Sequence, residues 1–190
     1  MKFKLIISLI SLLNFFNNSE INEWGQTGHR VIAQIAQEYL NENTKDSINK
    51  ILNGKSLVSV SNFADEIKSD IKYDKYKPWH YVNLNLEDNY EDIVLNKEGD
   101  VVQAINHSID ILNNKKSSRN ERTFYLKLLI HFIGDIHQPL HVGRFEDRGG
   151  NDIKVKWFGK TTNLHRIWDS QIIDSHQMSY TELSKDLPIL

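Results

Sequence analysis

The stretch 128–141, reading LLIHFIGDIHQPLH, constrains this chain more than any other. It is an apolar run of helical character that carries His131 and Asp135 four residues apart, so a helix here sets both side chains on one face, one above the other. Pro139 then breaks the helix, and His141 follows within two residues, able to meet Asp135 from the other side of the break. A carboxylate on an apolar helix face demands a cation or a dense set of hydrogen bonds, and imidazole with carboxylate at this spacing is a zinc-type ligand set.

The chain has no cysteine, which leaves no disulfide framework and no thiolate site, so a metal must be held by His, Asp and Glu. Its 190 residues suffice for one globular domain with a sizeable core. A net charge of −2 provides no basic field of the kind that nucleic-acid binders use, unless bound metal supplies the positive charge. At the N-terminus, Lys2 and Lys4 precede an apolar run over 5–16 that is too short to span a bilayer comfortably, with polar Asn17, Asn18 and Ser19 after it. This reads as a secretory signal peptide over 1–23, with a cut after Ser19 as the alternative; a buried N-terminal helix is the other reading.

Further along, WGQTGHRVIAQIAQEYL predicts a helix from about Thr27 to Asn41, with His29 in its first turn. A short helix is expected over 44–52, ended by Asn53-Gly54. In SNFADEIKSDI, Ser61 or Asn62 can cap a helix that presents Asp65 and Lys68; taken alone, Asp65 is what a helix dipole prefers in a first turn. KPWHYVNLNL reads as an extended segment, where His80 stands between Trp79 and Tyr81 and can equally be a satisfied, part-buried histidine. Helical patterns recur over 100–112 and 122–134, separated by a polar connector at 115–120. After His141, Gly149-Gly150-Asn151 is either an ordinary turn or a place where backbone approaches a ligand, and alternation through Ile153, Val155 and Trp157 predicts a short hairpin. TTNLHRIWDSQII then returns to helical period with His165 and Asp169 four apart, a second His-x-x-x-Asp pair, and a last short helix can begin near Ser179.

Each candidate ligand has a structural explanation of its own, but the set exceeds the four ligands of one structural zinc. A helical frame projects such side chains inward from facing helices, and clustered divalent ions suit phosphate-ester hydrolysis, because they generate hydroxide near neutral pH and absorb charge on the phosphoryl and leaving oxygens.

WGxxGH at 24–29, FADEIK at 63–68, PWHYVN at 78–83, HFIGDIHQPLHVG at 131–143, GGN at 149–151 and NLHRIWD at 163–169 resemble, in order, the motifs of the S1/P1 nuclease family, the secreted zinc-dependent single-strand nucleases. The resemblance implies an all-α fold, mainly helical with a short β-hairpin, of the phospholipase C/P1 nuclease-like kind, with three zinc ions at the bottom of a cleft. It implies cleavage of RNA and single-stranded DNA to 5′-nucleotides, removal of 3′-phosphate from nucleotides, and a secreted or periplasmic location with no membrane anchoring after signal removal and no stable protein partner.

Carried onto this sequence, the resemblance assigns Asp65, His80, His131 and Asp135 to one zinc and His141, His165 and Asp169 to another. The third would be held by the amino group and carbonyl of Trp24, by His29, and by Asp135 as a bridge. Asp65 would orient the attacking water and Lys68 would stabilise charge on the phosphate or leaving oxygen. Asn151 would bond the scissile phosphate, Tyr81 would stack on a base, and Asn83 would read the base edge in place of the family's Asp. His137 falls outside the ligand pattern and is expected to support a ligand from behind.

Family members run on through several more helices after the motif that ends here at Asp169, so the domain over 24–190 is expected to be incomplete at its C-terminus. The alternatives are an inactive zinc-binding remnant and a zinc-dependent phospholipase C, which would need Glu where this chain has Asp169.

Overall fold

The computed structural model describes residues 25–186, and helices dominate it. Helix α6 (Arg119–Asp135) is the central element, with α1 (Gln26–Tyr39), α2 (Glu42–Leu52), α3 (Leu57–Val60), α4 (Phe63–Ile67) and α5 (Val101–Asn113) all packed against it. Two apolar clusters divide around this helix. Leu128 and Phe132 join Val101, Ala104, Ala64, Tyr76 and Val82 on one side. Leu126 joins Ala33, Leu52, Leu57 and Val60 on the other. Each fully buried large side chain contributes about 1.5–3 kcal/mol, so α6 is fixed from both sides before any polar contact is counted.

The helix starts three residues earlier than the apolar period predicts. Ser118 and Glu121 form a reciprocal capping box: the Ser118 hydroxyl accepts from the Glu121 amide, and the Glu121 carboxylate accepts from the Ser118 amide at 2.8 Å. Such a cap is worth about 1 kcal/mol and recruits the polar residues 119–121 that hydrophobicity alone leaves in a connector.

Of the segment 77–86 expected to be extended, the part through Pro78 instead ends a 3-10 helix, Ile71–His80, while the part after it is extended as expected. The three-residue turn of the 3-10 helix aligns Tyr73, Tyr76 and Trp79 on one edge, where Tyr73 and Tyr76 pack on Phe124 with ring centroids 5.8 and 5.5 Å away. An aromatic at every third position therefore outweighed the apolar-polar alternation. Strand β1 (Val82–Leu84) follows and pairs in parallel with β2 (Val142–Arg144), Val82 opposite Val142. His80 and His141 each stand just ahead of one of these paired strands.

The expected hairpin is present as β3 (Lys154–Trp157) and β4 (Lys160–Asn163), antiparallel, turning through Phe158 and Gly159 at positive φ. A helical run follows, with α7 (Leu164–Arg166) and α8 (Ile172–Ser175) on either side of a π-helical stretch, Ile167–Gln171. The π widening falls on Asp169, whose carbonyl accepts from the Gly25 amide at 2.6 Å. Helix α9 (Tyr180–Asp186) then packs on α1. No helix among the described residues is long and apolar enough to cross a membrane. The presumed signal segment and Trp24 lie outside the described residues.

Candidate metal centre

Six segments deliver eight ligand-type side chains to one place. His29 comes from the first turn of α1, Asp65 from α4, and His80 from the end of the 3-10 helix; His131 and Asp135 come from α6. His141 comes from the turn after Pro139, and His165 and Asp169 from the run that follows β4. Three groups of possible metal ligands emerge: His29, His131 and Asp135; Asp65, His80 and His131; and His141, His165 and Asp169.

The contacts of Asp135 organise the first two groups. Its Oδ2 lies 3.0 Å from His80 Nδ1 and 3.2 Å from His131 Nε2. His131 Nε2 is 3.1 Å from His80 Nδ1 and 3.3 Å from Asp65 Oδ1, and that oxygen is 3.7 Å from His80 Nδ1. These are five of the six edges of a four-donor polyhedron. Tetrahedral donors about 2.0–2.1 Å from a central ion stand about 3.3–3.4 Å from one another, so these edges fit a zinc-sized cation. The other oxygen, Oδ1, faces His29 Nε2 at 3.5 Å and His141 Nδ1 at 3.1 Å. Asp135 thus turns one oxygen to each of two groups. Across the cleft floor, Asp169 meets His141 Nε2 at 3.2 Å with Oδ1 and His165 Nε2 at 3.0 Å with Oδ2.

Backbone carbonyls hold two of these rings from behind. His131 Nδ1 donates to the Ser61 carbonyl at 2.7 Å and His165 Nδ1 to the Gly149 carbonyl at 2.7 Å, which leaves each Nε2 aimed at the cluster. Asp135 Oδ1 and Asp169 Oδ2 are buried without a well-aligned hydrogen bond. Donors that converge on a point rather than on each other fit a cation between them.

The electrostatics agree. Burial works most strongly against the charge of Asp65 and Asp135, yet their partners together outweigh it and hold both carboxyls below their ordinary range, His131 foremost, with Lys68 also acting on Asp65 and His80 on Asp135. Burial likewise opposes protonation of His131, but Asp135 and Asp65 raise it to about 10. His141 rises against its burial to about 9 through Asp135 and Asp169. His29 and His80 fall to about 3 and about 4, chiefly by burial. The carboxylates of Asp65, Asp135 and Asp169 therefore draw positive charge onto His131 and His141 in particular.

Above the cluster opens a cleft of about 560 Å³ lined by Lys68, Tyr81, Asn83 and Asn151, together with His80, Asp135, His141 and His165. Lys68 Nζ sits 2.9 Å from Asp65 Oδ1. Tyr81 is half exposed, and the Asn151 amide donates to the Arg148 carbonyl at 2.9 Å. The Gly149-Gly150 pair serves backbone packing: a Cβ on Gly149 would lie 2.5 Å from the Leu140 carbonyl.

One expectation is overturned and three lining residues are new. His137, just past the end of α6, is exposed and turns its ring back to the Ile133 carbonyl in the last turn of that helix at 2.6 Å. The support expected of it comes from its neighbour Gln138, fully buried, whose side-chain amide donates to Asp169 while its oxygen accepts from the Leu140 amide. A polar residue between an apolar helix and a proline was the available signal. Lys77, Arg148 and Leu140 also line the cleft. Trp24 is outside the described residues, and its neighbour Gly25 is bonded to Asp169 beside the cluster.

The family model described as S1/P1 Nuclease matches residues 24–188. Endonuclease 4 of Arabidopsis thaliana is 37% identical over 182 residues, covering 88% of this chain and 60% of the relative. Nuclease S1 of Aspergillus oryzae is 34% identical, covering 83% and 57%, and Nuclease P1 of Penicillium citrinum is 29% identical, covering 84% and 63%. The chain spans about 60% of the length of the curated relatives it matches.

Proposed function

The chain belongs to the S1/P1 nuclease family, and from that premise we propose that it is a secreted or periplasmic zinc-dependent endonuclease, hydrolysing single-stranded DNA and RNA to 5′-nucleotides and removing 3′-phosphate from nucleotides. The observation that carries this reading is the four-donor set of Asp65, His80, His131 and Asp135, with edges of 3.0–3.7 Å.

That set would hold one zinc, and His141, His165 and Asp169 a second. His29 and Asp135 Oδ1 would hold a third together with Trp24. Bound zinc supplies hydroxide near neutral pH and neutralises charge on the phosphate oxygens. The remaining steps fall to the chain. Asp65, kept ionised beside Lys68, accepts a hydrogen bond from the attacking water and orients it. The water oxygen bonds to phosphorus as the bond to the 3′-oxygen breaks, which leaves a 5′-phosphate and a 3′-hydroxyl. Lys68 Nζ donates to the oxygen that gains charge, and the Asn151 amide to a non-bridging oxygen. Tyr81 stacks on the base, tolerant of its identity, and Asn83 bonds its edge.

The test is release of acid-soluble nucleotides from single-stranded DNA and RNA by zinc-loaded protein, with phosphatidylcholine in parallel and the mature N-terminus read by intact mass. Nucleotide release with three zinc ions and Trp24 first is the expected result. Turnover of phosphatidylcholine alone, or of nothing, overturns the nuclease reading.

A further inference from the structure

Among the described residues, four non-glycine residues hold a positive φ: Asn53, Arg148, Phe158 and Gln177. Asn53 ends α2, Phe158 turns the β3–β4 hairpin, and Gln177 follows α8. Arg148 is different, because it lines the cleft. Its φ of 53° continues into Gly149 at 62° and Gly150 at 79°, a left-handed run that glycine and asparagine adopt readily and arginine does not. The turn is over-determined around it. Gly149 N bonds the Arg144 carbonyl at 2.9 Å and Gly150 N the Asp147 carboxylate at 2.7 Å. Strain kept at one residue of a cleft points to a use for its side chain.

That side chain is 73% exposed at the cleft mouth, and among the described residues it pairs with Asp152 at 3.4 Å, a long contact between exposed groups that is released at little cost. Lys77, by comparison, is held by Asp74 at 2.7 Å. Arg148 adds to Lys68 and Lys77 in the lining, and where those two are held by Asp65 at 2.9 Å and Asp74 at 2.7 Å, its own pairing with Asp152 is the longest of the three. Lys68 is 12% exposed and lies on the floor beside Asp65, whereas Arg148 stands at the rim, so the two cations face different depths of the cleft. A guanidinium presents a planar fork that matches phosphate oxygens in pairs.

We propose that Arg148 binds the phosphate adjacent to the one being cleaved and so gives the site a preference for strands over substrates with a single phosphodiester. The inference rests on the nuclease reading above. Arg148→Asn removes the charge while keeping a residue suited to the left-handed backbone, and Arg148→Lys keeps the charge without the fork. For zinc-loaded Arg148→Asn, KM for a single-stranded decanucleotide should rise about five- to tenfold at low salt. Turnover of a dinucleoside monophosphate, which has no neighbouring phosphate, should change less than about twofold. The slope of log affinity against log salt should shrink by about 0.7, one phosphate contact on a single strand. Arg148→Lys should keep the slope and recover part of KM, and the melting midpoint of Arg148→Asn should hold or rise. Equal loss on both substrates, no loss on either, or a fallen midpoint overturns the proposal. If the parent protein cleaves neither substrate, the nuclease reading fails first. Decanucleotide binding by fluorescence anisotropy over the same salt series then still decides Arg148: an unchanged slope in Arg148→Asn removes it.

Discussion

Asp135 divides its carboxylate between two neighbours on opposite sides, with Oδ2 3.0 Å from His80 Nδ1 and Oδ1 3.5 Å from His29 Nε2. A bridging carboxylate removed from such a position disturbs two ions at once. Asp135→Asn is isosteric and keeps one oxygen, so the zinc content of the purified variant should fall by more than one ion per chain. Elemental analysis checks this, and unchanged stoichiometry contradicts the bridge.

Metal loading should release protons and weaken as pH falls. His131 is raised to about 10 and His141 to about 9, so at pH 7 both rings of the metal-free protein carry protons that a cation must displace. The carboxylates Asp135 and Asp169 are held below their ordinary range and need lose nothing. Calorimetry of zinc binding at pH 7 in buffers of different ionisation heat should therefore report release of about two protons. In the metal-free fold the same raised values stabilise fully below pH 6.5, the ordinary histidine value, and that stabilisation is lost as pH rises through about 9 to 10. The melting midpoint of chelated protein should fall over that window, and buffer-independent heats would contradict the proton count.

How much of this was legible depends on the range of the determining contact. The two His-x-x-x-Asp pairs sit on regular helical spacing, so the sequence alone placed His131 with Asp135 and His165 with Asp169, and both pairs meet at 3.0–3.2 Å. The parallel pairing of β1 with β2 joins segments 60 residues apart through three-residue strands, too short for alternation to announce them. The 3-10 helix over Ile71–His80 is announced only by aromatics at every third position, a period masked by Pro78 and the alternation after it. Gln138 carries only the weak signal of a polar residue between an apolar helix and a proline, and Arg148 carries none; the folded loops alone bring them to Asp169 and to the cleft.

Gln138 should matter to one ligand group and not to the others. Its amide holds Asp169 from behind, and both residues are buried. Gln138→Leu keeps the volume but leaves the carboxylate without that donor, so zinc affinity at His141, His165 and Asp169 should fall about 10- to 100-fold. A competition titration with a graded chelator should show one weakened ion and the rest retained. Equal weakening of all ions would mean general disruption rather than loss of a specific support.

Gly149 and Gly159 separate backbone strain from packing, because both have positive φ, 62° and 79°, but only one is crowded. An added Cβ at Gly149 would stand 2.5 Å from the Leu140 carbonyl, while at Gly159 it meets nothing within 4 Å. Gly159→Ala should cost about 1 kcal/mol from conformation alone, and Gly149→Ala about 1–3 kcal/mol more, because the clash must move backbone. That movement also displaces the Gly149 carbonyl from His165 Nδ1, which it now meets at 2.7 Å, and frees the ring to turn. Denaturant unfolding of the two variants should rank them in that order, with zinc loss confined to Gly149→Ala. Equal destabilisation of the two would show that the loop yields without cost and that His165 is held by other contacts.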